Sequence, residues 1–394
     1  MLASHMAGVP RDSNPFDLYV SGGEGLEDAG FPKPDSADIP GCNVPGDQSA
    51  KHACTEPLVW QAGDRAAYSS LSFILLGYAL ENITGKALID LLKESVSKPL
   101  NLSFTGLDPS VDLSQAIIPA GQGGFVMGYD IGNYTATAGL YSTPGDISKF
   151  LRAIMANTLV SPLQTRQWLK PSIFAGSIST AVGMPWEIFR LSNLTPDNRP
   201  IDLYTKSGGI FGYETNMVLI PEFNVGMSVL AAGDDASDAL MGLLDIVIPA
   251  TVSSLNQLAR QQAKETYAGR YQSVNGTDAI LSLDVDDGPG LRITQWTNRG
   301  KSMLEFLASR EGTNVMDLDT RLYPVGEGQR WRLVLERTEG ANPSVFSDAC
   351  ITWLRVDQMR YAKQPVDEFT FDIKGGAVIG LKNSGLRAKL VKTS

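Results

Sequence analysis

The sequence predicts an α+β unit followed by an all-β unit, and two observations carry that reading. Up to about residue 265, helix-period stretches alternate with strand-like pieces, two of which are joined by Pro221-Glu-Phe-Asn224 as a hairpin turn. From Tyr267 the pattern changes to short alternating segments, spaced about every 8–12 residues and separated by turn residues, as in an antiparallel barrel or sandwich. The expected domains are residues 1–264 and 265–394 of a chain of 394 residues, a length that suits two domains better than one. With 43% hydrophobic and 19% charged residues, the composition allows a large core.

Taken in order, residues 11–65 are rich in Gly, Pro, Asp and Ser and read as long loops beside a cleft. Residues 69–83 form a helix apolar on nearly all sides, expected to be buried, which ends before Gly85. A second helix from Ala87 to Ser97 places Leu88, Leu91, Leu92 and Val96 on one face, with Pro99 as its stop. Thr143 as cap, Pro144 at the first helical position and Asp146 in the first turn start another helix, running through Ile154. Strand pieces follow at Ile201–Thr205, Glu214–Ile220 and Val225–Ala231. An amphipathic stretch from Ala236 to Glu265, capped by Asp234 and Asp235, is expected to lie on that sheet. In the second unit the expected strands are Ile280–Val285, Leu291–Trp296, Trp331–Glu336, Ile351–Val356 and Phe369–Ile373.

Charge and composition exclude several classes. The formal net charge is −10, and no Lys/Arg run is present, which argues against nucleic acid and anionic membrane surfaces as partners. No apolar run reaches the roughly 18 residues that span a bilayer, and Leu71–Leu80 reads as the most apolar stretch. The start, Met1-Leu-Ala-Ser-His5-Met-Ala-Gly8-Val-Pro10, has neither a basic region nor an apolar one, so no signal peptide is expected in this chain. Cys42 and Cys54 share one polar loop, compatible with a local disulfide and equally with two free thiols; Cys350 stands apart. Glycosylation sequons begin at Asn82, Asn101, Asn133, Asn193 and Asn275, a mild lean toward secretion. Two histidines, His5 and His52, leave a Ser-His-Asp triad almost without candidates, and no zinc, phosphate-loop or dinucleotide motif is present.

What remains is a Tyr and Lys constellation. Tyr68-Ser-Ser70 opens the first helix, and Lys206-Ser207-Gly208-Gly209 closes a strand. Glycines on a strand edge let a substrate lie against the backbone, and a free N–H there can donate to a developing oxyanion. An ammonium beside them binds a carboxylate or lowers the pKa of a nearby phenol, which then serves as base toward a serine hydroxyl. The common alternatives are packing for a Tyr before a helix and coincidence for Lys-Ser-Gly. Gly183-Met-Pro-Trp186-Glu reads as strand packing rather than substrate stacking.

These segments, in this order, resemble the serine β-lactamase and penicillin-binding-protein family, which includes class C β-lactamases, D,D-peptidases, esterases and an acyltransferase of lovastatin side-chain transfer. His5-Met-Ala-Gly8-Val-Pro10 resembles the family's His-x-Ser-Gly-x-Pro segment, and Tyr68-Ser-Ser70 its Tyr-x-Asn motif. Ala138-Gly-Leu-Tyr-Ser-Thr-Pro-Gly145-Asp and Lys206-Ser207-Gly208 are similar to two further family elements. The resemblance covers residues 1 to about 262 and implies an α/β/α sandwich with an antiparallel sheet. The tail resembles, more loosely, the C-terminal domain of fungal secreted β-lactamase-like proteins.

Carried over, the resemblance implies Tyr68 as general base or acid and Lys206 as electrostatic partner. It implies the Gly209 N–H as half of an oxyanion hole, with Ser70, Ser207 and Gly208 beside the substrate. The implied activity is hydrolysis or acyl transfer through an acyl-serine, on a small ester, thioester or lactam, with no cofactor or metal and an extracellular setting for the full-length protein. Two departures bear on this. The family's nucleophile motif, Ser-x-x-Lys, belongs upstream of His5, and the sole match here, Ser95-Val-Ser-Lys98, reads as a solvated helix end. Ser70 stands where the family has Asn, which puts amide substrates in doubt. The chain is therefore expected to be truncated and inactive alone, the competing expectation being a pseudoenzyme or binding remnant. His5 is expected to be a structural hydrogen-bonding side chain.

Overall fold

The computed structural model describes residues 1–12, 25–33, 58–107, 114, 116–119, 132–210, 212–274, 276–326, 329–337 and 352–393. The chain divides into two compact units, Met1–Leu194 with Arg199–Thr251, and Thr195–Asn198 with Val252–Ser394. All three cysteines and His52 lie outside the described residues, so the disulfide expectation does too.

The first helix, α1 (Ser70–Thr84), is capped by Ser69, whose hydroxyl accepts the N–H of Ser72, and ends at Gly85 with φ 67°. It is not the buried helix the sequence suggests. Only Ser72, Ile74 and Gly77 are buried, while Leu75, Tyr78, Leu80 and Ile83 are exposed. Among the described residues it is covered mainly by two short turns, Leu2–Ser4 and Gly132–Ala136, and Gly77 lets Ala136 come close.

The second helical stretch also differs. Here α2 (Leu88–Leu92), a π turn (Lys93–Ser97) and α3 (Lys98–Leu100) follow one another without a break. Pro99 does not stop the helix: it follows closely on the π turn, and Asn101 at φ 53° makes the end. Ser95 and Lys98 are exposed on this stretch. The next helices, α4 (Pro144–Met155) and α5 (Pro162–Trp168), are capped by Thr143 and Ser161, the latter in a capping box with Gln164.

Six strands make an antiparallel meander in sequence order: β1 (Ile173–Phe174), β2 (Thr180–Val182), β3 (Glu187–Leu191), β4 (Ile201–Ile210), β5 (Tyr213–Ile220) and β6 (Val225–Ala232). Leu151 and Ile154 of α4 pack on Ala181, Trp186, Ile188 and Leu219, and Gly226 lets Leu151 approach β6. This is an α+β unit with an antiparallel sheet. Trp186, 1% exposed, belongs to that core, as the packing reading of its segment requires.

One long helix, α6 (Ala236–Tyr267), follows Asp234 and Asp235 directly. Helix α4 lies along β6, and Ala236, Leu240 and Leu244 of α6 are buried. Met241, Leu243, Ile246 and Val247 of α6 are exposed. By length and composition alone α6 holds an 18-residue window able to cross a bilayer, which corrects the expectation that no stretch qualifies. Isolated acids such as Asp238 and Asp245 hide that window from a search for unbroken apolar runs. A core helix of a soluble protein passes the same test.

The second unit is a barrel. Its strands are β7 (Gly269–Ser273), β8 (Ile280–Asp284), β9 (Leu291–Asn298), β10 (Lys301–Ser302), β11 (Leu318–Pro324), β12 (Arg330–Arg337), the small pair β13 (Arg360–Tyr361) and β14 (Gln364–Pro365), then β15 (Glu368–Lys374), β16 (Ala377–Asn383) and β17 (Ala388–Lys392). Eight of them, β7-β8-β9-β11-β12-β15-β16-β17, pair in that order, and β17 returns to β7, so the sheet closes on itself. Tyr271, Leu281, Leu291, Leu322, Phe369 and Leu381 are among the side chains of its core. A helix, α7 (Met303–Glu311), packs against β9. The strand expected at Ile351–Val356 is instead a 3-10 turn at Thr352–Leu354. The chain turns there because Arg355 pairs with Glu311 at 2.8 Å, Arg332 pairs with Asp357 at 3.2 Å, and Asp357 takes φ 64°.

Candidate active site

Tyr68 is placed by a lacing of backbone bonds between the start of the chain and the approach to α1. Ala67 N–H donates to the His5 carbonyl at 2.9 Å, Val59 N–H to Gly8 at 2.9 Å, and Ser70 N–H to Arg11 at 2.7 Å. Ser69 adds two more ties: its N–H donates to His5 Nδ1 at 3.1 Å and its hydroxyl to the Pro10 carbonyl at 2.7 Å. His5 thus accepts at Nδ1 and holds its proton on Nε2. Its ring lies against that of Tyr68, centroids 4.6 Å apart. Burial first, then the charge of Lys206, lowers the His5 pKa from its ordinary value, so the ring is neutral at pH 7. His5 is a structural hydrogen-bonding side chain, as its setting in the sequence suggests.

The second wall is the free end of β4. Strand β3 pairs with residues Ile201–Thr205 and no further, so among the described residues the side of β4 away from β5 has no strand partner past Thr205. Glu187, the first residue of β3, curls over that gap. Its carboxylate accepts Lys206 Nζ at 2.7 Å, Ser207 N–H at 3.0 Å and the Ser207 hydroxyl at 2.9 Å. Lys206 Nζ also donates to the Ser207 carbonyl at 2.8 Å and sits 5.3 Å from the centre of the Tyr68 ring. Because backbone N–H groups two residues apart on a strand point the same way, the Gly209 N–H faces the same open side as that of Ser207.

Arg11, Tyr68, Glu187, Ser207, Gly208 and Gly209 line an open cleft of about 480 Å³. Of the residues singled out in the sequence, Tyr68, Lys206, Ser207, Gly208 and Gly209 come together there. Ser70 is the half-exposed first residue of α1, two residues past Tyr68, and its N–H donates to the Arg11 carbonyl. Sequence reasoning missed Glu187 and Arg11. Arg11 follows directly on the His5–Pro10 segment and was within reach; its guanidinium lies 5.1 Å above the Tyr68 ring and pairs with Asp12 at 3.2 Å. Glu187 carries no signal, since only the pairing of β3 with β4 brings it to Lys206. Among the described residues no group of three His, Cys, Asp or Glu side chains is placed to hold a metal.

A family model described as "Beta-lactamase" matches residues 1–248. The chain belongs to the beta-lactamase family. A second model, "Beta-lactamase-like-like, C-terminal domain", matches residues 259–394. A "Beta-lactamase-like protein" of Arthroderma benhamiae is 30% identical over 99% of this chain and 72% of its own length. A probable hydrolase of Cochliobolus lunatus is 28% identical over 90% of this chain, which spans 60% of that relative. The D-alanyl-D-alanine-carboxypeptidase/endopeptidase AmpH of Escherichia coli is 26% identical over 47% of this chain and 49% of its own length. Among solved structures, a beta-lactamase/D-alanine carboxypeptidase of Yersinia pestis superposes with a TM-score of 0.44 at 23% identity, covering 60% of this chain and 64% of that one.

Proposed function

We propose that this cleft is the Tyr- and Lys-bearing half of the active site of an acyl-serine hydrolase or acyltransferase for small esters, thioesters or lactams. The observation that carries the reading is the juxtaposition of Tyr68 with Lys206 beside the unpaired edge of Ser207–Gly209. In it, Tyr68 moves the proton of a serine hydroxyl, Lys206 supplies positive charge beside it, and the Gly209 N–H donates to the oxyanion. The nucleophilic serine comes from residues outside this sequence. Ser95 and Lys98, the sole Ser-x-x-Lys match, lie exposed on the α2–α3 stretch, and the fungal relatives are longer than the chain. The full-length protein works outside the cell, a reading supported by exposed sequon asparagines at Asn82, Asn101 and Asn193.

The test is covalent labelling with a fluorophosphonate or a tagged penicillin. The 394-residue chain is expected to stay unlabelled, and a form extended by the upstream coding sequence to acquire one adduct that Tyr68→Phe slows at least about a hundredfold. An extended form that takes no label from either reagent would overturn the proposal.

A further inference from the structure

The charges around the cleft are unevenly divided. Lys206 stands beside the Tyr68 ring, yet Glu187 already meets it at 2.7 Å and also holds both donors of Ser207. Arg11 is matched by Asp12. A third carboxylate, Glu214, lies over Gly209: a Cβ on that glycine would stand 2.6 and 2.7 Å from its two oxygens. Glu214 is the cross-strand partner of Gly209, and Glu187 that of Thr205, so both carboxylates lie on the sheet face shared by Thr205, Ser207 and Gly209. The donors of Lys206 and Ser207 that would receive a carboxylate are thus held by Glu187, with the Glu214 carboxylate beside Gly209.

We propose that this cleft selects acyl groups with no carboxylate beside the reacting carbonyl, and takes uncharged or amine-bearing substrates, with Glu187 as the residue that sets the choice. This deepens the reading of the cleft as an acyl-substrate site and rests on it. An incoming carboxylate must displace Glu187 from Lys206 and Ser207 and then remain close to its charge. An amide or ester makes neither demand, and an ammonium gains from Glu187 and Glu214 together.

The experiment compares N-phenylacetylglycine with its primary amide, binding each by ligand-observed NMR to the extended form that carries the nucleophile segment and to the Glu187→Gln variant of that form. The wild-type extended form is expected to bind the amide at least about tenfold more tightly than the acid, the scale of one unpaired like charge at half-exposed sites. In Glu187→Gln, which keeps an acceptor for Ser207 and frees Lys206, the ratio shifts about tenfold or more toward the acid. Equal or tighter wild-type binding of the acid overturns the proposal without reference to the variant. Binding by both proteins with an unchanged ratio also overturns it, leaving the acyl-site reading intact. Failure of both probes to bind either protein overturns the acyl-site reading, and this proposal falls with it.

Discussion

His5 and Tyr68 are stacked at 4.6 Å, and the imidazole that supports the phenol ring also accepts the N–H of the next residue, Ser69. One buried side chain therefore fixes both the ring and the backbone at the mouth of the cleft. It can do so only while Nδ1 is unprotonated.

Acid is expected to loosen this arrangement. The folded protein holds the His5 pKa below its ordinary 6.5, through burial and the nearby Lys206 charge. Between that lowered value and 6.5 the unfolded chain binds more protons than the folded one, so stability rises with pH across this window. The contribution is complete above 6.5 and is lost as pH falls through the window. His5→Asn keeps an acceptor near Nδ1, tolerates the φ of 56° and does not titrate. Urea melts between pH 7 and pH 5 should show a smaller loss of stability for this variant than for wild type; parallel curves would refute the assignment.

Asp146 does more than complete a helix start. It is 2% exposed, and it accepts Phe104 N–H at 2.8 Å, the Thr105 hydroxyl at 3.0 Å and Lys149 Nζ at 2.8 Å. Burial works against its charge, but Lys149, Phe104 and Thr105 together outweigh that and hold its pKa below the ordinary value. Asp146→Ala strands those donors and should cost about 2–4 kcal/mol. A thermal or urea melt within 0.5 kcal/mol (about the spread of surface substitutions) would contradict the role.

Gly8 is required where it stands. Its φ is +71°, and a Cβ there would lie 2.0 Å from the Trp60 carbonyl oxygen. Gly8→Ala should cost about 2–4 kcal/mol from strain and overpacking and should pull the first segment away from residues 59–70. Hydrogen exchange at Ala67 and Ser69 is the sensitive reading; unchanged protection would show that the lacing is not needed.

The sheet of the first unit carries an edge that invites company. Among the described residues β6 pairs with β5 alone, and α1 and α6 leave Leu75, Tyr78, Ile83, Met241, Leu243 and Ile246 exposed. Exposed strand edges and apolar faces drive association. At tens of micromolar the 394-residue chain is expected to sediment as oligomers or aggregates. A single monomeric species with a sharp unfolding transition would be the contrary result.

Much of this could be read from the residues. Ser69 and Thr143 announce helix starts, Gly85 a helix end, and Pro221–Asn224 a hairpin, because capping and turn chemistry are local. Tyr68 and Lys206 stand out by order and resemblance. Glu187 does not, since its function here depends on how far β3 runs beside β4. Strand β11 was equally hidden: Arg321 sits at a buried position, 7% exposed, and breaks the apolar alternation. Its guanidinium is neutralised by Asp286 at 2.7 Å and Asp319 at 2.5 Å, partners that only the folded barrel supplies. The α1 expectation failed for the opposite reason: apolar residues show what a helix is able to bury, not what covers it.

The ring of eight strands in the second unit sets a timetable for its making. Strands β7 and β17 are neighbours in space but open and close the stretch from Gly269 to Lys392. While the ribosome is still adding residues before Ala388, the growing hoop has two raw ends, and β7 waits without its partner. Assembly of this unit is thus deferred until its final strand clears the exit tunnel, and the cost of joining such distant ends is met in one late step. A stop codon just after Asn383 would leave nearly the whole unit translated and the hoop still open, with β7 and β16 each lacking a neighbour.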